Sequence, residues 1–210
     1  MVTTHEAGFL RDPRFESAYA AGASTGSWHG TQLRWRVYTC CWAAHHALHL
    51  RGDFVECGVN RGGISRAVME YVDFGKTNER VFWLLDTFRG DPDVAGVNQS
   101  DYSECYDDVV RTFSSFPNVR IVRGRVPETL SRVTSERLSY VSIDLNSAQP
   151  SLEVLRHFWE RLVPGAAVVL DDYAYSRHYR DQKEGFDALG VELGFAVLTL
   201  PTGQGIIIKS

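Results

Sequence analysis

The sequence predicts an α/β fold: a doubly wound, mostly parallel seven-stranded sheet with a terminal antiparallel hairpin. Three observations lead there. From Asp53 onward, short apolar runs alternate with amphipathic helical stretches. The runs are rich in Val, Ile and Leu and mostly do not alternate with polar residues, as suits parallel strands buried on both faces. The last two runs are joined only by Pro201-Thr202-Gly203-Gln204, too short for a parallel crossover, so that pair must be antiparallel.

Taken in order, residues 1–31 read as a loop-like arm, because Gly22, Ala23, Ser24, Thr25, Gly26, Ser27 and Gly30 break any periodicity. Leu33, Val37, Cys41, Ala44 and Leu48 then form a helical stripe flanked by Trp35, Tyr38 and Trp42, stopped at Arg51-Gly52. This separates an N-terminal arm and helix, residues 1–52, from a main domain, residues 53–210. Strands are predicted at 54–58, 81–86, 119–122, 138–144, 166–171, 196–200 and 205–209. The clearest intervening helix carries Leu152, Leu155, Phe158, Trp159 and Leu162 and is expected to end at Pro164-Gly165.

Composition narrows the function. At 210 residues with 44% hydrophobic and 23% charged side chains, the chain can bury a core of its own. Lys plus Arg number 22 against 26 Asp plus Glu, a net charge of −4, which gives no broad electrostatic hold on nucleic acid or anionic membrane. The longest aliphatic run, 166–170, is too short to cross a bilayer, and the first residues lack the apolar stretch of a secretory signal. A soluble, cytoplasmic domain is expected. Cys40, Cys41, Cys57 and Cys105 make no disulfide or metal framework and are read as buried thiols.

In a sheet of this kind ligands bind beyond the carboxyl ends of the strands. Those ends are Glu56-Cys57-Gly58, Asp86, Gly124-Arg125, Asp144 and Asp171-Asp172, and all but one carry a carboxylate. The first strand runs into ECGVNRGG (56–63) and then a helix starting near Ser65. Glycines there permit a sharp turn and a close approach to a ligand, although a tight strand-to-helix turn alone would also explain them. Their spacing is not that of the dinucleotide fingerprint, so NAD is not expected. Asp86, ending the second strand, is placed to accept the hydroxyls of a ribose.

At these motifs the sequence resembles the S-adenosylmethionine-dependent methyltransferases, whose fold is Rossmann-like, and among them the macrocin O-methyltransferase family. The resemblance runs through DFVECGVNRGG (53–63), LLDTFRGDP (84–92), VRGRVPETL (122–130), YVSIDLN (140–146), LVPGAAVVLDDYAYSRH (162–178) and LPTGQGIIIK (200–209). It implies S-adenosyl-L-methionine as cofactor, with Glu56, Gly58, Gly62, Gly63 and Ser65 lining its methionine and ribose end. It also implies Asp86 on the ribose, Gly124 and Arg125 near the adenine, and a small, sugar-bearing acceptor.

Asp144 and the pair Asp171-Asp172 should converge from neighbouring strands. Three carboxylates at one rim repel unless a cation offsets them, and all-oxygen ligands suit Mg²⁺ or another hard divalent ion. The bland alternative is that these acids cap helices or face solvent. The resemblance favours metal at Asp144, Asp171 and Asp172, where a cation would lower the pKa of an acceptor hydroxyl. One departure stands out. The family pattern after the fourth strand is D-x-D, whereas this chain reads Asp144-Leu145-Asn146, and an amide cannot take a proton. His178, in the loop after Asp172, is the replacement base by residue type, beside Asp144 as the other catalytic candidate.

The expected function is therefore O-methyl transfer to a sugar or glycosylated metabolite. The alternatives are an oxidative enzyme resembling the cephalosporin hydroxylases and a non-catalytic cofactor-binding protein. The loop Arg89 to Asp108 is a candidate acceptor lid. Arg34 and Arg36 could reach a cofactor carboxylate. The aromatic N-terminal helix, with the prevalence of symmetric pairs, suggests a homodimer.

Overall fold

The computed structural model describes residues 6–77, 79–90, 102–176 and 180–210. Its strands are β1 (Asp53–Cys57), β2 (Phe82–Asp86), β3 (Val119–Arg123), β4 (Leu138–Ile143), β5 (Leu162–Leu170), β6 (Leu198–Thr199) and β7 (Gly205–Ile208). They pair in the order β3-β2-β1-β4-β5-β7-β6. β1 to β5 run parallel, and β7 lies antiparallel to both β5 and β6. The hairpin expected from the four-residue connection is present, with β7 rather than β6 against β5.

Both sheet faces are covered, as the unalternating apolar runs require. Phe54, Phe82, Leu84, Tyr140 and Val169 point into one buried cluster, and Val55, Leu85, Val141 and Val168 into the other. The first cluster is closed by α1 (Pro13–Ala23), α2 (Arg34–Ala47), α3 (Gly63–Tyr71) and α4 (Tyr106–Phe113). The second is closed by α5 (Ala148–Phe158) and α6 (Arg180–Leu193). Phe54, fully buried between strands and helices, would cost about 3–5 kcal/mol if cut to Ala.

Two local readings are corrected. Residues 13–23, placed by sequence in a loop-like arm, form α1. The Asp12 side chain accepts the Arg14 N–H at 2.9 Å, and Pro13 occupies the first turn, where no amide donor is needed. The run of small residues hid the helix because smallness is its packing requirement. A Cβ on Gly22 would stand 2.5 Å from the Gly63 carbonyl oxygen, so α1 lies directly against the start of α3. The second correction concerns Pro164-Gly165, which does not end a helix but sits inside β5. There the register jumps from Leu138 opposite Leu162 to Tyr140 opposite Ala167, and the bulge accommodates a residue with no N–H. Among the aromatics flanking α2, Phe9 stacks on Tyr38 and meets Trp35 edge-on, while Trp42 stays 45% exposed. Among the described residues, no helix is long and apolar enough to cross a membrane.

Candidate active site

The chain builds outward from β1 to β3 and then returns to place β4 on the other side of β1. Side chains on the flanking connections diverge at that reversal, and a crevice opens beyond the carboxyl ends. It is a cavity of about 590 Å³, the size of a small-molecule site. Glu56, Asp86, Gly124, Asp144 and Asp172 line it from the strand ends, and Ser27, Trp28 and Leu33 close it from the N-terminal side.

The glycine loop fixes the Asp86 end. Asp86 Oδ2 accepts the Asn60 N–H at 2.7 Å and its Oδ1 accepts the Phe88 N–H at 2.6 Å, so the carboxylate is aimed before any ligand arrives. Burial raises its pKa, and these backbone donors oppose the rise. Gly58 has φ +90°, and a Cβ there would fall 1.9 Å from the Asp144 carbonyl oxygen, so glycine is what lets the ends of β1 and β4 touch. Glu56 is 1% exposed and receives the Ser65 hydroxyl; burial pushes its carboxyl up to about 8, partly offset by that hydrogen bond. At neutral pH Glu56 is therefore a neutral acid rather than an anion. Gly63, Gly124 and Arg125 join Glu56, Gly58 and Asp86 on the wall. Gly62 instead faces the Phe113 ring, and Ser65 is fully buried behind Glu56.

The opposite rim gathers the three acids. Asp144 ends β4, and Asp171 and Asp172 follow β5. Burial, and then Asp171 and Asp172, hold Asp144 well above the usual carboxylate range. Burial and the neighbouring Asp171 bring Asp172 to about 6, against the pull of Arg36. Arg36, from α2, is the cation among them. Its Nη2 donates to the Asp171 carboxylate, to the Asp171 carbonyl at 2.8 Å and to Asp172 Oδ1 at 3.1 Å, while Nε reaches Asp171 Oδ1 at 3.3 Å. Its guanidinium carbon lies 4.6 Å from the centre of the Tyr175 ring. Gln204, fully buried on the β6–β7 turn, donates from Nε2 to Asp171 Oδ1 at 2.8 Å.

This arrangement bears on the expected divalent ion. The three acids do converge, but around a guanidinium that offsets them in part, and both Asp171 oxygens already have donors. Among the described residues, no group of three His, Cys, Asp or Glu side chains is disposed to hold a metal. As placed, Asp144, Asp171 and Asp172 do not fit Mg²⁺. Sequence reading had left Arg36 as a reach toward a cofactor carboxylate and had not singled out Gln204. A lone amide entering an apolar strand, as in TGQGIII (202–208), was the available signal.

Other candidates fall elsewhere. Arg34 pairs with Glu16 rather than facing the cavity. His178 and residues 91–101 of the candidate lid lie outside the described residues. Of that lid, Arg89, Gly90 and Tyr102 line the cavity, and the Asn146 amide donates to the Tyr102 hydroxyl at 3.3 Å.

Known proteins resemble this chain in sequence and in fold. A sequence profile described as Macrocin-O-methyltransferase (TylF) matches residues 32–189. The chain is 31% identical over 143 residues to Mycinamicin III 3''-O-methyltransferase of Micromonospora griseorubida, covering 58% of this chain and 55% of that protein. It is 31% identical over 142 residues to 8-demethyl-8-(2,3-dimethoxy-alpha-L-rhamnosyl)-tetracenomycin-C 4'-O-methyltransferase of Streptomyces olivaceus, covering 59% and 53%. The chain thus spans about half the length of these relatives. Its fold matches that of the O-methyltransferase NovP with a TM-score of 0.69 at 20% identity, over 83% of this chain and 79% of that one.

Proposed function

The chain belongs to the macrocin O-methyltransferase family, and on that premise we propose that it moves the methyl group of S-adenosyl-L-methionine to a hydroxyl of a sugar or glycosylated natural product. One observation carries the reading. A single cavity is lined by the fixed carboxylate of Asp86 at one end and by an acid rim, Asp144, Asp171 and Asp172, at the other. Asp86 suits a ribose diol, and Gly124 and Arg125 beside it leave room for a base. The neutral Glu56 carboxyl can serve the polar methionine end without an unpaired negative charge. The bound cofactor supplies an electrophilic sulfonium methyl.

The rim then serves the acceptor. Methyl transfer needs a hydroxyl oxygen in line with the methyl and a place for its proton, and effective placement accounts for much of the rate. Asp172 lines the cavity with one oxygen held by Arg36, and among the described residues its Oδ2 accepts no hydrogen bond. We assign it the acceptor hydroxyl, with Asp144 between the two ligands. The Streptomyces olivaceus relative is by name an O-methyltransferase of a rhamnosyl tetracenomycin and the Micromonospora griseorubida relative a mycinamicin O-methyltransferase, which supports the acceptor class.

Labelled S-adenosyl-L-methionine offered with a panel of desmethyl glycosides tests the reading: radiolabel should appear in a glycoside product. A product that forms only with oxygen, or a thermal midpoint raised by NAD⁺ and not by S-adenosylhomocysteine, would overturn it.

A further inference from the structure

Gln204 has no part in the proposed chemistry, yet its amide nitrogen is turned onto the acid rim. It is fully buried, and its Oε1 accepts the Thr202 hydroxyl at 2.9 Å, while the acceptor-only Asp171 carboxylate and Arg36 carbonyl at the other end fix which end of the amide is which. Its Nε2 therefore points the other way, donating to Asp171 Oδ1 at 2.8 Å and reaching the Arg36 carbonyl at 3.3 Å. Asp171 is then held from two sides, by Gln204 on Oδ1 and by the Arg36 guanidinium on Oδ2. Among the described residues, Asp172, one residue on, has Arg36 on one oxygen only.

We propose that Gln204 is a positioning residue for methyl transfer: it locks Asp171 to Arg36, so that Arg36 is anchored and Asp172 is the acid left to meet the acceptor. The proposal rests on the function assigned above. The physical logic is division of labour between adjacent carboxylates. Without the amide, Asp171 could rotate, and Arg36 could shift between the two acids it now bridges. Two orientations of the rim would then share the population, and only one would present Asp172 to the hydroxyl. A side chain from the last strand thus selects the working arrangement of residues on α2 and β5. A buried amide with a purely structural task would stabilise the hairpin and leave the rim alone.

Two variants separate these possibilities. Gln204→Met keeps the length and removes the donor. Turnover of the best acceptor found in the glycoside screen should fall roughly ten- to a hundredfold, the scale set by a lost charge-assisted hydrogen bond. Its KM should change by less than about threefold, with S-adenosylhomocysteine affinity by calorimetry retained. Unchanged turnover in this variant would overturn the proposal. The contact itself is tested without any acceptor. Gln204→Glu sets carboxylate against carboxylate and should lower the urea midpoint, and adding Asp171→Asn should restore it by reversing donor and acceptor. A double variant no more stable than the sum of the two single changes would overturn the contact and the proposal with it. Wild-type protein that binds S-adenosylhomocysteine but methylates no glycoside would instead overturn the assigned function and the positioning role together, while the swap still reports on the contact.

Discussion

Removing the charge at the centre of the acid rim should be costly, and more so at high pH. Arg36→Met keeps most of the apolar stem and deletes the guanidinium. In the folded protein the three side chains are nearly enclosed, 13% exposed for Arg36, 12% for Asp171 and 8% for Asp172. Breaking a buried pair by removing one partner costs about 3–5 kcal/mol, because the remaining charge is stranded in a poor solvent. Here two carboxylates are stranded, which places the expected loss in the upper half of that range. Its pH dependence follows from the sign of the shifts. Asp172 already titrates near 6, above its ordinary value, so its burial destabilises the fold as pH climbs through that value. Without Arg36 its pKa rises further, and the penalty grows toward alkaline pH and fades as the acids take up protons. Urea unfolding at about pH 8 and about pH 5 measures both features. A loss below about 1 kcal/mol at the higher pH, or an equal loss at both, would refute the account of Arg36 as the rim's counter-charge.

Three further outcomes are expected. Asp86→Ala should weaken S-adenosylhomocysteine binding by about ten- to a hundredfold in calorimetry, the worth of paired hydrogen bonds to a charged acceptor; unchanged affinity would remove Asp86 from the cofactor site. Glu56 has a folded pKa of about 8 against an ordinary 4.5, so wild-type stability should decline with rising pH across that window, by up to about 5 kcal/mol. Glu56→Gln should flatten this decline in a pH series of denaturant melts, and a variant with the wild-type slope would contradict a neutral Glu56. Gly58→Ala combines φ +90° with a 1.9 Å collision against the Asp144 carbonyl, and should lower unfolding free energy by at least about 2 kcal/mol; a thermal midpoint within a degree or two of wild type would contradict the close approach of β1 and β4.

The sheet was readable from sequence because each strand run is buried on both faces and each strand end carries its own punctuation. Phe54-Val55 and Tyr140-Val141 send neighbours to opposite apolar layers, and the few polar residues in these two runs, Glu56, Ser139 and Ser142, are buried with them. What escaped was whatever depends on smallness or on distant pairing. α1 looked like a loop because Ala18, Ala20, Ala21 and Gly22 give little hydrophobic contrast, although Asp12-Pro13 marked its start. The acids of the rim could be found one at a time, but not the charge between them. Arg36 and Asp171 are 135 residues apart, and nothing local to either announces the other. Repulsion among three carboxylates pointed to a divalent ion, whereas the packing of α2 sets the Arg36 guanidinium among them. Gln204 escaped for the same reason.

The position of β7 between β5 and β6 has a consequence for biogenesis. A ribosome delivers the chain at about 5–20 residues per second, and β1 to β5 can pair as they emerge. During that interval the edge of β5 is open and Asp171 has its arginine but not its amide. Only when β7 slides in beside β5 is that edge covered and the acid rim complete. A chain shortened before Gln204 would therefore keep Glu56, Asp86 and Asp144 on its strand ends and lack the amide that completes the hold on Asp171.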